Sequence, residues 1–313
     1  MITTVLGADG LLVEHYMAAL VPSSILFITF TERSNRNLKI PGFGVKFLLE
    51  QGIDVVAVKT DRDDWYENLT KDHIKIIVSY VQGFREYKKV IGYGSSMGAH
   101  AAIKYSRELN MDGVIALSPV WGLHFPWESR WKDDFSRLGG KILMPDNAMS
   151  TSCAYCIVGD MKSRDRSQLE VFISRATQNS VKLEFLNIPY SGHPSGFYLR
   201  DAGLLKKIVV NFSSYQVHSI SRQEVRRSRR KSFNYCFNLA RECFFKKKFF
   251  WCLSLCEYAD ANFQLDSNFS LLRARAYSKL GNKERARSCA RYTLDNYDLA
   301  PSGKDVLTRI LYG

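Results

Sequence analysis

The chain has 313 residues, 46% of them hydrophobic and 24% charged, with a formal net charge of +13, a composition that supports a packed core and excludes a disordered or fibrous polypeptide. Seven cysteines without framework spacing point to free thiols in a reducing compartment rather than to a disulfide scaffold. The chain does not open on a basic segment followed by a long apolar one, and runs such as Ile25–Phe30 are far too short to span a bilayer, so a cytoplasmic protein with no transmembrane segment is expected.

In chain order, Ile2–Leu6 and Leu11–Tyr16 read as an antiparallel hairpin turned at Asp9-Gly10. Ser24–Phe30 reads as a strand and 42–50 as a helix; 54–58 as a strand and 71–81 as a helix; 89–93 and 113–117 as strands. Cys153–Val158 and Leu183–Ile188 are two more strands, separated by a helix over 166–178. Strands alternating with helices predict an α/β fold with a mainly parallel sheet covered on both faces. The alternation stops over 121–150, where Trp121, Phe125, Trp127, Trp131 and Phe135 gather. This aromatic insertion follows a strand's C-terminal end, as a cap over a site would, or as a plug covering the sheet edge. Cys153 and Cys156 form a C-x-x-C inside a strand, where residues three apart face opposite sides, and no second ligand pair accompanies them, so no metal is expected.

The catalytic domain is expected to occupy 1–212. A basic linker follows over 213–231, carrying Arg222, Arg226, Arg227, Arg229, Arg230 and Lys231, and a helical region covers 232–313. The basic run suits a solvated linker, or weak attraction to an anionic partner. In the helical region, Tyr277, Leu280-Gly281 and the small residues at helix crossings resemble a tetratricopeptide repeat, with one full repeat and flanking helices. Such a unit does not bury its face alone. Docking on the catalytic domain, on a protein partner or on a second copy is therefore expected, through Phe244, Phe245, Phe249, Phe250 and Trp251, with Lys246–Lys248 on the wet side.

Gly94-Ser95-Ser96-Met97-Gly98 is a G-x-S-x-G placed after the strand 89–93 and before the helix-forming Ala99–Tyr105. At such a corner a serine sits on a strained turn with its hydroxyl exposed, at a helix N-terminus that favours developing negative charge. Ser96 is the candidate nucleophile. A serine needs a base, and the base needs an orienting acid. His193 lies in the loop after the last predicted strand, where open sheets place ligands, and is the candidate base. His15, His73 and His100 fall in predicted elements and His218 in the linker; His124 lies in the insertion, within reach of a substrate. Asp160 follows the strand 153–158 directly and is the preferred acid; Asp165, five residues on, is the alternative, or a helix N-cap. The oxyanion needs two backbone donors, expected from Met97 and from the loop at Thr31. Trp65, Tyr66 and Trp121 offer flat faces for a sugar or an acyl group; Trp65 and Tyr66 serve equally as loop anchors.

The order Ser96, Asp160, His193 on alternating strands and helices resembles the α/β-hydrolase superfamily over the first two thirds of the chain. Phe27–Thr31, Asp63–Tyr66 and Tyr93–Gly98 resemble its bacterial branch found beside surface-polysaccharide and protein-glycosylation genes, including the hydrolase-like component of the accessory secretion system. The resemblance implies acyl-ester chemistry on glycans by a serine hydrolase, without metal or organic cofactor. An acyltransferase with the same triad is the first rival. A non-catalytic interaction protein on a hydrolase scaffold is the second, since the usual glycine after the third strand is absent.

Overall fold

Asp9 and Gly10 both take positive φ, 49° and 78°, the geometry that a two-residue type I′ hairpin requires. They fold β1 (Ile2–Ala8) back on β2 (Leu11–Tyr16). The computed structural model describes residues 1–18, 23–33, 35–140, 144–264 and 266–313. After the hairpin come β3 (Ile25–Phe30), α1 (Val45–Leu49), β4 (Asp54–Thr60), α2 (Lys71–Phe84), β5 (Lys89–Ser95), α3 (Met97–Lys104) and β6 (Gly113–Leu117). Then come α4 (Lys132–Arg137), β7 (Ala154–Gly159), α5 (Arg166–Gln178), β8 (Leu183–Asn187), α6 (Gly196–Asp201) and α7 (Leu205–Tyr215).

The strands form one eight-stranded sheet in the order β1-β2-β4-β3-β5-β6-β7-β8. β2 pairs antiparallel with β1 and β4, and every other pairing is parallel. This is the mainly parallel α/β sheet expected from the sequence. β4, β6 and β7 are buried along their whole length, which is why they read as unbroken apolar runs rather than as alternating ones. Register fixes the working edge. Phe30 stands opposite both Val58 and Gly94, Ser95 opposite Leu117, and Gly159 opposite Asn187. The C-terminal ends of the central strands therefore finish level with one another.

The chain divides into two units. The first comprises 1–189, 193–196 and 204–221, and the second 190–192, 197–203 and 222–313. α7 runs three residues past the expected boundary at 212, with Ile208, Val209 and Phe212 fully buried. A Cβ on Gly113 of β6 would press on the Phe212 ring, so the end of α7 belongs to the sheet's cover. The expected linker contains a helix, α8 (Arg222–Ser228), and a 3₁₀ turn at Arg229–Lys231. Of the expected insertion, residues 141–143 lie outside the described residues.

The second unit continues with α9 (Phe233–Phe245), α10 (Phe249–Asn262), α11 (Ser267–Lys279), α12 (Lys283–Asn296) and α13 (Pro301–Tyr312). Ala274, Ala290 and Leu307 are fully buried where α11, α12 and α13 meet, and small side chains there let the helices approach. Asp266 and Asn282 accept backbone amides at the starts of α11 and α12. Among the described residues no helix is long and apolar enough to cross a membrane.

Candidate active site

Ser96 ends β5 and begins α3 with φ 53° and ψ −115°. A non-glycine residue at positive φ is strained, and strain of this kind persists when the surroundings over-determine it. Two glycines do so here. A Cβ on Gly94 would run into the Gly98 backbone, and one on Gly98 into the carbonyl oxygen of Phe30. The Ser96 amide is fixed by donating to the Leu117 carbonyl (2.9 Å). Gly98→Ala is expected to destabilise the fold by about 1–3 kcal/mol, because it strikes backbone rather than a movable side chain; a denaturant midpoint equal to wild type would contradict this.

His193 Nε2 lies 2.9 Å from Ser96 Oγ, and its Nδ1 lies 2.9 and 3.1 Å from the two carboxylate oxygens of Asp165. Burial pushes the Asp165 carboxyl up, but the hydrogen bond and charge of His193 and the guanidinium of Arg130 outweigh it, so its pKa falls below the ordinary carboxylate value. An ionised Asp165 only accepts, so Nδ1–H donates to it and Nε2 is left to take the serine proton. The acid facing the ring is thus Asp165 and not the preferred Asp160. Asp160 turns back on its own loop, its Oδ1 accepting the Lys162 amide at 2.7 Å. Asp165 occupies the N-cap position of α5 yet makes no side-chain cap, which leaves its carboxylate for the imidazole.

The His193 loop is anchored by a serine pair. Ser118 Oγ accepts the Ser195 amide and donates to Ser195 Oγ (3.0 Å each), and Ser195 Oγ donates to the Val158 carbonyl (3.3 Å). Both serines are fully buried, and they tie the loop to the ends of β6 and β7. The segments on either side of 193–196 belong to the second unit. There Asn238 Nδ2 donates to the Tyr190 carbonyl (3.3 Å), and Tyr198 donates its hydroxyl to Val225 (2.8 Å). A chain truncated after Ser221 is therefore expected to retain Ser96, Asp165 and His193 but to lose most of any activity that rests on them. Full kcat in a soluble truncation would contradict that.

Arg130 Nη1 meets Asp165 Oδ1 at 2.5 Å, and its Nη2 meets Glu128 at 2.7 Å. Glu128 in turn accepts from Gln168 (3.0 Å), which also accepts the Trp121 amide (2.8 Å) and donates to the Gly122 carbonyl (2.9 Å). The aromatic insertion is thereby wired to the acid. A second ionic knot forms around Asp134, which accepts from Arg33 Nε and Nη2 (3.0 Å each), Arg137 (2.7 Å) and Trp65 Nε1 (3.1 Å). Asp134 is 1% exposed, so it is no surface charge. Trp131 lies beside the His193 ring (6.0 Å between centroids), with the guanidinium groups of Arg33 and Arg130 over its indole at 5.7 and 5.5 Å. Sequence reasoning missed the roles of Glu128, Arg130 and Asp134, because isolated charges in an irregular aromatic stretch have no period to assign them a face and Asp134 there reads as a surface charge; Gln168, inside the helix 166–178, carries no signal that its amide meets the insertion.

Three expected substrate contacts need correction. Trp65 and Tyr66 are fully buried at positive φ, and Trp121 is 2% exposed. Trp65 is fixed by Asp134, Tyr66 donates to the Thr31 carbonyl (3.0 Å), and Trp121 packs edge-on to Phe172. They anchor loops and present no open face for stacking. The Thr31 amide is also committed, donating to the Val58 carbonyl (3.3 Å), so it is not a free oxyanion donor. The next amide, that of Glu32, has no backbone acceptor among the described residues. Met97 begins α3, so its amide has no intrahelical partner.

His100 is fully buried, with Nδ1 on the Val120 carbonyl (2.8 Å) and its ring edge-on to Trp65. Burial, reinforced by the Lys104 charge, lowers its pKa to about 3. Below pH about 6.5 the unfolded chain takes up a proton that the native state refuses until near pH 3. Stability from this residue is thus complete above about pH 6.5 and is lost at about 1.4 kcal/mol per unit as the pH falls. His100→Asn, which keeps a donor toward Val120, should flatten the acid side of a stability–pH curve; an unchanged slope would contradict this.

No protein-family model and no curated protein matches the chain. Solved structures do. The capsule O-acetyltransferase of Neisseria meningitidis serogroup A is similar with a TM-score of 0.52 and 15% identity, covering 66% of this chain and 93% of that one. A sugar hydrolase from Lactococcus lactis is similar at 0.49 and 15%, covering 73% and 96%. Esterase 2 of Thermogutta terrifontis is similar at 0.46 and 15%, covering 63% and 85%. At these identities the first likeness is one of fold.

Proposed function

Because the chain has the α/β-hydrolase fold, and because one unbroken hydrogen-bonded line runs from Ser96 through His193 to Asp165, we propose that it is a serine hydrolase of carboxylic esters. That line, 2.9 Å on either side of the imidazole, is the observation that carries the reading. Ser96 Oγ attacks the ester carbonyl and passes its proton to His193 Nε2. Asp165, held ionised beside Arg130, stabilises the imidazolium and fixes its tautomer. The amides of Met97 and Glu32 donate to the oxyanion. His193 then returns the proton to the leaving alcohol, leaving an acyl-serine that water cleaves in the second half-reaction.

The substrate class first to be tested is a small acyl group, with an acetyl ester on a glycan as the favoured member. Transfer to an alcohol instead of water is the second reading, since both outcomes diverge only after the acyl-serine, and the fold neighbour named as a capsule O-acetyltransferase makes a sugar hydroxyl a sensible acceptor. The test is turnover of p-nitrophenyl acetate with and without added sugar. Acetate as the sole product supports hydrolysis; an acetylated sugar rising with acceptor concentration supports transfer; no turnover of any acyl ester refutes both.

A further inference from the structure

α9 and α11 end in the same hydrogen-bonded motif. In α11 the amide of Gly281 donates to Ser278 (3.1 Å) and that of Asn282 to Tyr277 (3.0 Å), with Gly281 at φ 75°. In α9 the amide of Lys247 donates to Phe244 (3.0 Å) and that of Lys248 to Cys243 (2.8 Å), with Lys247 at φ 57°. The left-handed position of this motif favours glycine, because a Cβ there is strained. Lys247 accepts that strain while exposed, and no ion pair within the fold compensates it among the described residues.

The same turn breaks a second rule. Phe245, Phe250 and Trp251 are 64%, 74% and 69% exposed, whereas Phe244 is buried and Phe249 half-buried. α10 is consequently apolar outward as well as inward, although a helix at a protein surface normally turns polar residues to water. The expected separation of an apolar face from wet lysines does not occur: Lys246, Lys247 and Lys248 occupy the exposed turn between these aromatic residues. Lys246 pairs with Glu242 (2.8 Å), which leaves Lys247 and Lys248 without an ion-pair partner among the described residues.

We infer that the α9–α10 turn docks on the surface of an anionic lipid bilayer, with Phe245, Phe250 and Trp251 entering the headgroup boundary and Lys247 and Lys248 meeting lipid phosphates. Large aromatic side chains beside lysines form the pairing that such a boundary rewards: the rings leave water while the long lysine stems keep their charge at the phosphates. A second copy fits poorly, because a two-fold contact through this turn would set lysines against lysines. An acidic protein would satisfy the charges, but the groove beside Phe250 carries Glu257 as well as Arg285 on its wall and so does not favour an acidic segment, whereas a bilayer needs no matching shape.

The full-length protein should co-sediment with phosphatidylcholine vesicles containing phosphatidylglycerol far more than with phosphatidylcholine alone, and less as salt is added. Lys247→Gly should weaken partition about fivefold, the value of one lysine at an anionic surface, with a melting temperature equal to or above wild type. The double variant Phe250→Ser, Trp251→Ser should abolish co-sedimentation while retaining ester cleavage. Equal sedimentation with both vesicle types would overturn the inference. So would wild-type binding by both variants, which would move the contact to the basic run at 222–231, and so would retention on immobilised polyglutamate without vesicle binding, which would assign the turn to an acidic protein.

Discussion

Ser96→Ala is expected to lower kcat for p-nitrophenyl acetate by about 10⁶-fold, with a melting temperature close to wild type. The magnitude follows from the division of labour. The hydroxyl is the atom that forms the acyl intermediate, so its removal leaves only binding and the oxyanion amides to accelerate attack by water. The fold should survive because the strain at this position belongs to the backbone. φ 53° is imposed by the packing of Gly94 and Gly98 against their neighbours, and alanine meets the same constraint as serine. Stopped-assay kinetics and a thermal melt on the same preparation check both halves. A variant that keeps wild-type turnover removes Ser96 from the chemistry.

Asp165→Asn is expected to lower kcat by about 10⁴-fold, with KM nearly unchanged. Asparagine presents both a donor and an acceptor to Nδ1, and its NH₂ facing the ring would favour the tautomer that carries its proton on Nε2, where the serine proton must go. The substitution also leaves Arg130 facing a neutral amide, although Glu128 still neutralises it at 2.7 Å. Asp160→Asn should cost far less, because the Asp160 carboxylate caps the amide of Lys162. Parallel kcat measurements on the two variants decide the matter, and a larger loss from Asp160→Asn would reverse the assignment.

The site was legible in the sequence wherever local chemistry dictated it. The two glycines around Ser96 are sterically required, and a strand before with a helix after is the context that gives G-x-S-x-G its meaning. His193 was legible by position, in a loop beyond the last strand. The choice between Asp160 and Asp165 turns on the path of the six residues between β7 and α5, which no periodicity describes. The strand-end position favoured Asp160, and the N-cap position of Asp165 suggested a structural role that its side chain does not take up. Trp65 and Tyr66 illustrate the converse. They stand at a strand end, as ligand-binding residues do, but left-handed backbone at both positions turns their rings into the protein, where Asp134 and the Thr31 carbonyl satisfy their polar atoms. Asp134 lies 69 residues away in sequence from Trp65, and a pairing of that range leaves no local trace.

The boundary between the units shows the same limit. Buried Ile208, Val209 and Phe212 form a helical stripe on α7, yet the helix ends only at Tyr215, and the basic run that follows reads as linker because Arg and Lys dominate it. Val225 is nevertheless buried in α8, and its carbonyl receives the Tyr198 hydroxyl. A single apolar residue in a basic segment carries too little pattern to announce a packed helix.

The central claim is that Ser96 becomes the acylated atom. The most direct measurement is mass spectrometry of the full-length protein after exposure to a fluorophosphonate, with the adduct located by peptide mapping. One adduct per chain on the peptide containing Ser96, absent from Ser96→Ala and strongly slowed in Asp165→Asn, is the predicted result. No adduct on the folded wild-type protein, or an adduct on another serine that persists in Ser96→Ala, would contradict it.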